Sequence, residues 1–310
     1  MTVDTAHTRA GVATGRLRIG VIGAGRVGPI LARGWDLAGH DIVAITRSRK
    51  QERNDRLDAL LPHVPRMDHA QEVAAVADIV VIATPDDAIR EVVAEVARAG
   101  GWRAGQIVFH VSGAHGTTVL AEAAKAGAAV AAWHPAMTFA GCSLDLDRLD
   151  GTPVAITGDG FAVTIGYALA VVLGASVEQV GEDQRVLYHA ALSHGANHLV
   201  TVIVQAQRML SAAGIANPAQ YLRPLVTAAM DRACEWGEEA LTGPVSRGDV
   251  DTVRAHRQAI ARHCDPDTAA SYDALARATA GIAVELGRID EATRRDIYHL
   301  TSCEEATADD

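Results

Sequence analysis

The stretch from Leu17 to Gly28 reads LRIGVIGAGRVG and decides the fold. Its first half is an apolar run typical of a buried strand, and its second half spaces three glycines as G-x-G-x-x-G. Between a strand and a helix, this spacing is the dinucleotide-binding fingerprint. Gly23 permits a tight turn, Gly25 lets a pyrophosphate approach the backbone, and Gly28 lets the helix pack closely on the sheet. The predicted phosphate-binding turn, called the glycine turn below, comprises Gly23, Ala24, Gly25, Arg26, Val27 and Gly28.

The residues after the second predicted strand indicate which dinucleotide is bound. This strand is Asp41 to Thr46, and an NAD-binding fold usually carries Asp or Glu at its end to bond the ribose 2′-hydroxyl. Here the chain has a basic loop instead, Arg47-Ser48-Arg49-Lys50. Guanidinium and hydroxyl groups would hold a 2′-phosphate, which a carboxylate would repel. We therefore predict NADP as the cofactor, with Arg47, Ser48 and Arg49 at the 2′-phosphate, against the alternative of a solvated basic loop.

Composition bounds the class of protein. The 310 residues carry a formal net charge of −10, which argues against binding to nucleic acid or to an anionic membrane surface. The four cysteines have no paired or metal-like spacing, so a reduced, cytoplasmic setting is expected. No apolar run is long enough to span a bilayer.

Hydrophobic patterning predicts two domains. Strands alternate with helices as far as Val180, which is typical of an α/β fold with a doubly wound parallel sheet, the Rossmann arrangement. An all-helical domain follows. The predicted segments are a tail at 1–16, an NADP-binding domain at 17–181, a helical substrate and dimerisation domain at 182–303, and an acidic tail at 304–310. The long helices predicted in the second domain are Gln184–Ala213, Ala219–Glu239, Asp249–Arg262 and Pro266–Leu286.

Polar residues follow several strands, at the edge of a parallel sheet where ligands bind. Thr84 and Pro85 follow one strand, and Ser112 follows the next; we expect all three to line the path to the nicotinamide. His134 follows a third strand and is a candidate proton donor near neutral pH, the alternative being a structural histidine before a proline. His110 lies inside an apolar run and is interpreted as a core residue.

The helix that opens the second domain carries further candidates. His189, Ser193 and Asn197 are spaced i, i+4, i+8 and are expected on one helix face, where one of them could bond a substrate carbonyl. Asn197 is the strongest of the three because a buried amide needs a partner. His194 and His198 have the i, i+4 spacing of some metal sites, but no third ligand is evident and no metal is predicted.

The segment 242–249, TGPVSRGD, is the last candidate. Asp249 is interpreted as an N-cap of the next helix. Arg247 could bind a substrate carboxylate, since a guanidinium matches a carboxylate in a bidentate manner.

Taken together, the glycine turn, the turn at 84–87, the segment 110–113, the His134-Pro135 pair and the segment 242–249 resemble a bacterial family of Rossmann-like oxidoreductases with a helical C-terminal domain of unknown function. That family is similar to the 6-phosphogluconate dehydrogenase-like group, which includes ketopantoate reductase, pyrroline-5-carboxylate reductase and deazaflavin-dependent NADP oxidoreductases. The resemblance implies NADPH-dependent reduction of 2-dehydropantoate to pantoate, in pantothenate synthesis. It also implies a homodimer formed through the helical domain.

One departure from the related group concerns the proton donor. Much of that group carries Lys-x-x-x-Asn on the helix entering the second domain; the asparagine matches Asn197, and the lysine position is Ser193. The proton would then come from His189, His134 or a relayed water. The alternatives are an imine or another 2-oxo-acid reductase, a deazaflavin-linked reductase, and an NADP-binding sensor without turnover.

Overall fold

The structure is a computed structural model that describes residues 15–158 and 160–302. Nearly all of the predicted N-terminal tail and the whole of the predicted acidic tail lie outside the described residues. The chain forms two compact units, Met1–Ser193 and His194–Asp310. The division falls inside the predicted helix Gln184–Ala213.

The first unit is built on one sheet of eight strands. In chain order the strands are β1 Arg18–Ile22, β2 Asp41–Thr46, β3 Arg66–Met67, β4 Ile79–Ile82, β5 Ile107–His110, β6 Ala129–Pro135, β7 Pro153–Gly158 and β8 Ser176–Gln179. Their spatial order is β3-β2-β1-β4-β5-β6-β7-β8. The chain thus starts in the middle of the sheet, runs to one edge and returns across β1 to the other, which is the doubly wound pattern predicted.

The predicted doubly wound parallel sheet is confirmed, with one antiparallel pairing. The first six strands pair in parallel, but β7 runs antiparallel to β6, with His134 opposite Ala155, and β8 is parallel to β7. A parallel neighbour needs a crossover that traverses the sheet. The only helix between β6 and β7 among the described residues is α6, Leu144–Asp147, and four residues span only about 6 Å. The connection therefore stays at the carboxyl end of β6.

Helices cover both faces of the sheet. They are α1 Val27–Leu37, α2 Gln51–Leu60, α3 Ala70–Val76, α4 Ile89–Arg98, α5 Ala121–Lys125, α6, α7 Gly160–Val171 and α8 Arg185–Leu192. Because β4 and β5 are buried on both sides, consecutive residues enter different cores: Val81 and Phe109 pack on one face, Val80 and Val108 on the other. Such continuous apolar strands are expected in a parallel sheet covered on both faces.

The second unit is helical, as predicted. A single π-helical turn, Ser193–His198, spans the division, and the helices that follow are α9 Leu199–Ala212, α10 Pro218–Trp236, α11 Val250–His263, α12 Pro266–Glu285 and α13 Glu291–Ser302. The last of these helices was not predicted from the sequence. The hydrophobic core of the second unit contains Val253 of α11, Ala276 and Ala280 of α12, and Ile297 of α13. None of the described helices combines the length and the apolar character needed to cross a membrane.

Candidate functional site

The glycine turn joins β1 to α1, and steric contacts fix two of its three glycines. Gly23 has φ +131°, and a Cβ built there would lie 2.3 Å from the carbonyl oxygen of Ala83. A Cβ on Gly28 would lie 2.4 Å from the carbonyl oxygen of Gly23. Both distances are far below van der Waals contact. The fold itself therefore requires these two glycines, one for the turn and one for helix–strand packing.

Gly25 is different because no atom of the described residues fills the space beside it. The nearest heavy atom to a Cβ there is the carbonyl oxygen of Ala83, at 3.9 Å. The next residue, Arg26, is exposed and precedes α1, which begins at Val27 without a side-chain N-cap and without an acidic residue in its first turn. The free N–H groups of such a helix start attract anions. The turn thus leaves an open approach to unpaired backbone donors.

A buried hydroxyl without a partner lies at the end of the adjacent strand. Thr84 follows β4, and its Oγ1 is buried but forms no hydrogen bond with any described residue. Pro85, next to it, is exposed. Because buried hydroxyls are nearly always bonded, the Thr84 hydroxyl is a polar group that a bound ligand could satisfy. Thr84 follows Ala83, whose carbonyl faces Gly23 and Gly25.

The basic loop is ordered by a single asparagine. The Asn54 side chain accepts a hydrogen bond from the Ser48 backbone N–H at 2.8 Å and donates one to the Ser48 carbonyl at 2.9 Å. Ser48 Oγ accepts a bond from the Lys50 N–H at 3.2 Å. The preceding Thr46 accepts a bond from the Gly23 N–H at 2.7 Å, which ties this loop to the glycine turn.

The two arginines of the basic loop differ in their surroundings. Arg47 Nε lies 3.1 Å from an Asp68 carboxylate oxygen, and both side chains are largely exposed. The sequence did not predict this ion pair, because Asp68 directly follows β3 and lies about twenty residues further along the chain. Arg49 is exposed and forms no ion pair with the residues that the structure describes. Arg49 is therefore the freer of the two for an anionic ligand.

Ser112 and His110 form a closed local network after β5. The Ser112 hydroxyl accepts bonds from the N–H groups of Ala114 and His115, at 3.2 and 3.3 Å. The Ser112 N–H donates to His110 Nδ1 at 3.2 Å, and His110 Nε2 lies 2.8 Å from the Gly116 carbonyl oxygen. Burial lowers the pKa of His110 to about 4. His110 is thus a neutral core residue, as interpreted from the sequence, and the Ser112 hydroxyl is already used within its turn.

Four residues meet where β5 and β6 end. His134 Nδ1 lies 2.8 Å from the Tyr188 hydroxyl, and its ring stands edge-on to Tyr188 and to His189, with centroids 5.6 and 6.3 Å away. A Cβ on Gly113 would lie 2.7 Å from His189 Cδ2 and 3.0 Å from His134 Nε2. The absence of a side chain on Gly113 thus leaves the room that the two histidine rings occupy. His134, Tyr188, His189 and Gly113 are called the His–Tyr cluster below.

A buried arginine lies beneath this cluster. The Arg185 side chain is 1% exposed; it donates to Thr157 Oγ1 at 2.6 Å and to the carbonyl oxygens of Ala155 and Ala132 at 3.0 and 3.2 Å. Its Nη1 has no hydrogen-bond partner among the described residues. A guanidinium bonded only to neutral oxygens keeps an uncompensated charge. That charge acts on the cluster, because Arg185 Cζ lies 5.7 Å from the centre of the Tyr188 ring.

The electrostatics of the cluster follow from burial and from this charge. Burial, followed by the charge of Arg185, lowers the pKa of His134 to about 4. Burial raises the pKa of Tyr188, and Arg185 opposes that rise. Both groups are therefore neutral near pH 7, with one exchangeable proton on each.

Glu182 fixes the start of α8, the helix that carries Tyr188 and His189. Its carboxylate accepts bonds from the N–H groups of Thr117 and Thr118, at 2.8 and 3.3 Å, and from the Thr117 hydroxyl at 3.1 Å. These N–H groups begin a short 3₁₀ turn, Thr117–Leu120, so Glu182 caps it from outside. The contact joins α8 to the segment that follows β5.

The remaining sequence candidates lie near or beyond the division between the units. The helix that carries His189, Ser193 and Asn197 is not a continuous α-helix, because the π turn Ser193–His198 interrupts it. Its i→i+5 pairing replaces the 3.6-residue spacing there. The expectation that Asn197 is buried is wrong: its residue is exposed. Ser193 is half-buried.

Within the second unit, His194 Nδ1 and His198 Nδ1 lie 3.0 Å apart on an exposed face. No group of three or more potential metal ligands occurs among the described residues. Arg247 is exposed in the short turn Val245–Arg247. Asp249 caps α11, accepting a bond from the Thr252 N–H at 3.1 Å, as interpreted from the sequence.

Comparisons with known proteins agree with this architecture. Residues 3–135 match the model of a Rossmann-like domain, and residues 152–279 match a domain of unknown function, DUF2520. No protein with a curated description matches the chain.

Solved structures share the fold along most of the chain. A Bacteroides fragilis protein provisionally named an NADP oxidoreductase is 22% identical, with a TM-score of 0.72, over 86% of this chain and 98% of that one. The Thermotoga maritima protein TM1727 is 19% identical, with a TM-score of 0.65, over 87% and 100%. An imine reductase from Myxococcus stipitatus, solved with NADP⁺, is 17% identical, with a TM-score of 0.62, over 90% and 99%. Two segments of the chain therefore each match a known domain model, and the chain shares its fold with these three proteins.

Proposed function

We propose that this protein is an NADPH-dependent reductase of a small carbonyl or imine substrate. The observation that carries the proposal is the glycine turn, where the space beside Gly25 serves no packing purpose and the N-terminus of α1 has no side-chain cap. The unpartnered hydroxyl of Thr84 lies at the same sheet edge. The imine reductase that shares this fold was solved with NADP⁺, which supports the same cofactor here.

The residues present fit NADPH. The backbone of the glycine turn would hold the pyrophosphate, with Gly25 giving it access to the free N–H groups. Arg49, with Arg47 and the Ser48 hydroxyl, would hold the 2′-phosphate. Thr84, Pro85 and Ser112 would line the path toward the nicotinamide. When bound, NADPH supplies a hydride to the substrate.

Two substrate classes follow from different sources. The resemblance to ketopantoate reductases favours 2-dehydropantoate, reduced to pantoate, and Arg247 is the proposed partner of its carboxylate. The imine reductase of the same fold favours a C=N substrate instead. Asn197, Ser193 and His189 remain proposed contacts of the substrate carbonyl. We place 2-dehydropantoate first, because its carboxylate suits a cationic site.

Cofactor titration followed by a substrate panel tests this proposal. We expect NADPH to bind much more tightly than NADH, with the difference removed by the double change Arg47→Ala and Arg49→Ala. NADPH oxidation, followed by absorbance, would then be measured with 2-dehydropantoate, other 2-oxo acids and cyclic imines. Equal affinity for NADH and NADPH would contradict the cofactor assignment. Tight NADPH binding without turnover on any panel member, or with a deazaflavin as hydride partner, would indicate a sensor.

We also propose a homodimer formed through the helical domain. α9 has no buried residue, and α10 buries only Leu222 along its nineteen residues. Large apolar side chains are exposed on these two helices: Val200, Val202, Val204, Tyr221, Leu225, Met230 and Trp236. Apolar faces of this extent are typical of an interface. Light scattering on the eluted protein should give twice the chain mass of 32.5 kDa; the chain mass itself would contradict the proposal.

A further inference from the structure

Tyr188 is the residue in the His–Tyr cluster that the sequence did not single out. Its hydroxyl is 2.8 Å from His134 Nδ1, and neither side chain is fully buried. His134 Nε2 faces Gly113, where a Cβ would lie 3.0 Å away. The imidazole thus connects the tyrosine hydroxyl on one side with the end of β5 on the other.

The position of the cluster suits chemistry at the nicotinamide end of the cofactor. β6, which carries His134, is the third strand from β1 on the side away from β2. At about 4.8 Å per strand, this places it about 14 Å from the strand that feeds the glycine turn. The adenosine end belongs on the other side, at the basic loop after β2, so the opposite end of the dinucleotide extends toward β5 and β6.

The groups that face His134 determine its protonation. They are the charged or titratable groups of Asp86, His110, Arg185 and His189, together with the bonded hydroxyl of Tyr188. Arg185 is cationic and fully buried, whereas Asp86 is exposed, so the balance of charge and burial keeps the imidazole neutral. The same guanidinium favours a negative charge on Tyr188 and so opposes the rise in the Tyr188 pKa that burial causes.

We propose that Tyr188 is the proton donor of the reductase and that His134 returns the proton to it; this rests on the proposed function. As hydride reaches the substrate carbon, the carbonyl π-electron pair moves onto oxygen and Tyr188 gives that oxygen its hydroxyl proton. His134 Nδ1–H then protonates the resulting tyrosinate, while His134 Nε2 takes a proton from water and leaves hydroxide in the solvent. Exchange of the ring proton with solvent returns it from Nε2 to Nδ1 before the next turnover. The net reaction consumes one hydride and one proton from solvent.

This assignment explains why neither histidine serves alone. Nδ1 of His134 is turned to Tyr188, and its Nε2 lies on the side of Gly113, 3.0 Å from the position that a Cβ would take there. The His189 ring packs on Gly113 and stands 6.3 Å from the His134 ring centre, without a hydrogen bond between them. Tyr188 is the group of the cluster that has a second proton donor, His134 Nδ1, within hydrogen-bond distance to replace the proton that it gives away.

Two variants of the full-length protein test the proposal kinetically, with a matched control. Tyr188→Phe and His134→Asn should each lower kcat, about 100-fold for Tyr188→Phe, since general acids contribute 10²–10⁴-fold, with the Kd for NADPH within twofold of wild type. The control is Tyr272→Phe, because Tyr272 has a similar bond to His256 Nδ1, at 2.9 Å, in the other unit. It should leave kcat within twofold.

A measurement without cofactor provides a second readout. ¹⁵N NMR of histidine-labelled protein should show His134 neutral above about pH 5, in the tautomer with the proton on Nδ1, and Tyr188→Phe should shift that resonance. A neutral imidazole protonated on Nε2 would overturn the proposal, because Tyr188 would then donate its proton to His134.

The outcomes separate the two proposals. Wild-type turnover with an unaffected Tyr188→Phe variant would overturn the proton donor and leave the reductase standing. Failure of the wild-type protein to bind NADPH, or to reduce any substrate of the panel, would overturn the reductase and the donor together.

Discussion

Replacing Gly25 by alanine should separate binding of the nucleotide from stability of the fold. Gly23 and Gly28 are required by the fold, because a Cβ on either would clash with the backbone. A Cβ on Gly25 would lie no closer than 3.9 Å to any heavy atom of the described residues. If the space beside Gly25 exists for a pyrophosphate, a methyl group there removes affinity and leaves the fold intact. Gly28→Ala, by contrast, should damage the fold itself.

The expected magnitudes follow from these distances. A Cβ on Gly28 would lie 2.4 Å from a backbone oxygen, and overpacking of this kind costs about 1–3 kcal/mol, offset in part by up to about 1 kcal/mol of helix propensity. At roughly 2–4 °C per kcal/mol for a domain of this size, Tm should fall by several degrees. Gly25→Ala should instead stabilise by about 0.4–1 kcal/mol. Loss of one charged hydrogen bond to phosphate, about 1.5–3 kcal/mol, weakens NADPH binding by about 10- to 100-fold.

The assays are thermal unfolding without nucleotide and fluorescence titration with NADPH, on each variant. Gly281→Ala is the matched control, since a Cβ there also meets nothing closer than 3.9 Å and the residue lies in α12 of the second unit. It should leave the Kd unchanged. An unchanged Kd for Gly25→Ala would refute the reasoning, because the open space would then have no role in binding phosphate.

Three further predictions concern charges around the site. Asp68→Asn frees Arg47 from its exposed ion pair, worth at most about 1 kcal/mol, and should tighten NADPH binding by up to about fivefold in titration without changing NADH binding. Glu182→Ala removes the outside cap on Thr117–Leu120 and should cost about 1 kcal/mol, measured by urea unfolding, while lowering kcat more than NADPH affinity; an unchanged kcat would show that α8 does not depend on this cap. Burial lowers the pKa values of His110 and His134 to about 4, so between about pH 6.5 and 4 the unfolded chain binds more protons than the folded one. The free energy of unfolding should therefore decrease as the pH is lowered through that window, by at most about 1.4 kcal/mol per pH unit for each histidine. A free energy of unfolding that is constant from pH 6.5 to 5 would contradict both shifts.

The sequence was sufficient for the parts of the fold that depend on local pattern. Only one arrangement is compatible with the strand–glycine–helix order of β1 and α1 and with the continuous apolar strands β4 and β5. Parallel strands that are buried on both faces need helices between them. The direction of β7 could not be obtained in this way. It depends on how the connection after β6 closes, and a strand of the same composition fits either direction.

Ion-pair and hydrogen-bond partners from distant parts of the chain also could not be predicted from the sequence. Arg47 pairs with Asp68 only because β3 adds to the sheet beside β2. The Ser112 hydroxyl is used by its own turn, which a strand-end position alone does not reveal. The π turn at Ser193–His198 escapes a periodicity argument for a related reason, because an inserted residue changes the phase of the helix without changing its composition.

Tyr188 shows most clearly what a spacing argument passes over, because it lies beside His189 on α8 and bonds to His134. The i, i+4, i+8 pattern drew attention to His189 and to residues beyond it, all of which were assumed to share a face. One residue earlier on a helix points about 100° away, and in α8 that direction faces His134 on β6. The buried guanidinium of Arg185 lies one turn before Tyr188 and bonds to the backbone of β6 and β7, so it holds this part of α8 against the sheet. A polar network of this kind is expensive to bury unless its members are satisfied, and here the Nη1 of Arg185 is not. The His–Tyr cluster therefore depends on a contact between sheet and helix that neither element shows in its own sequence pattern.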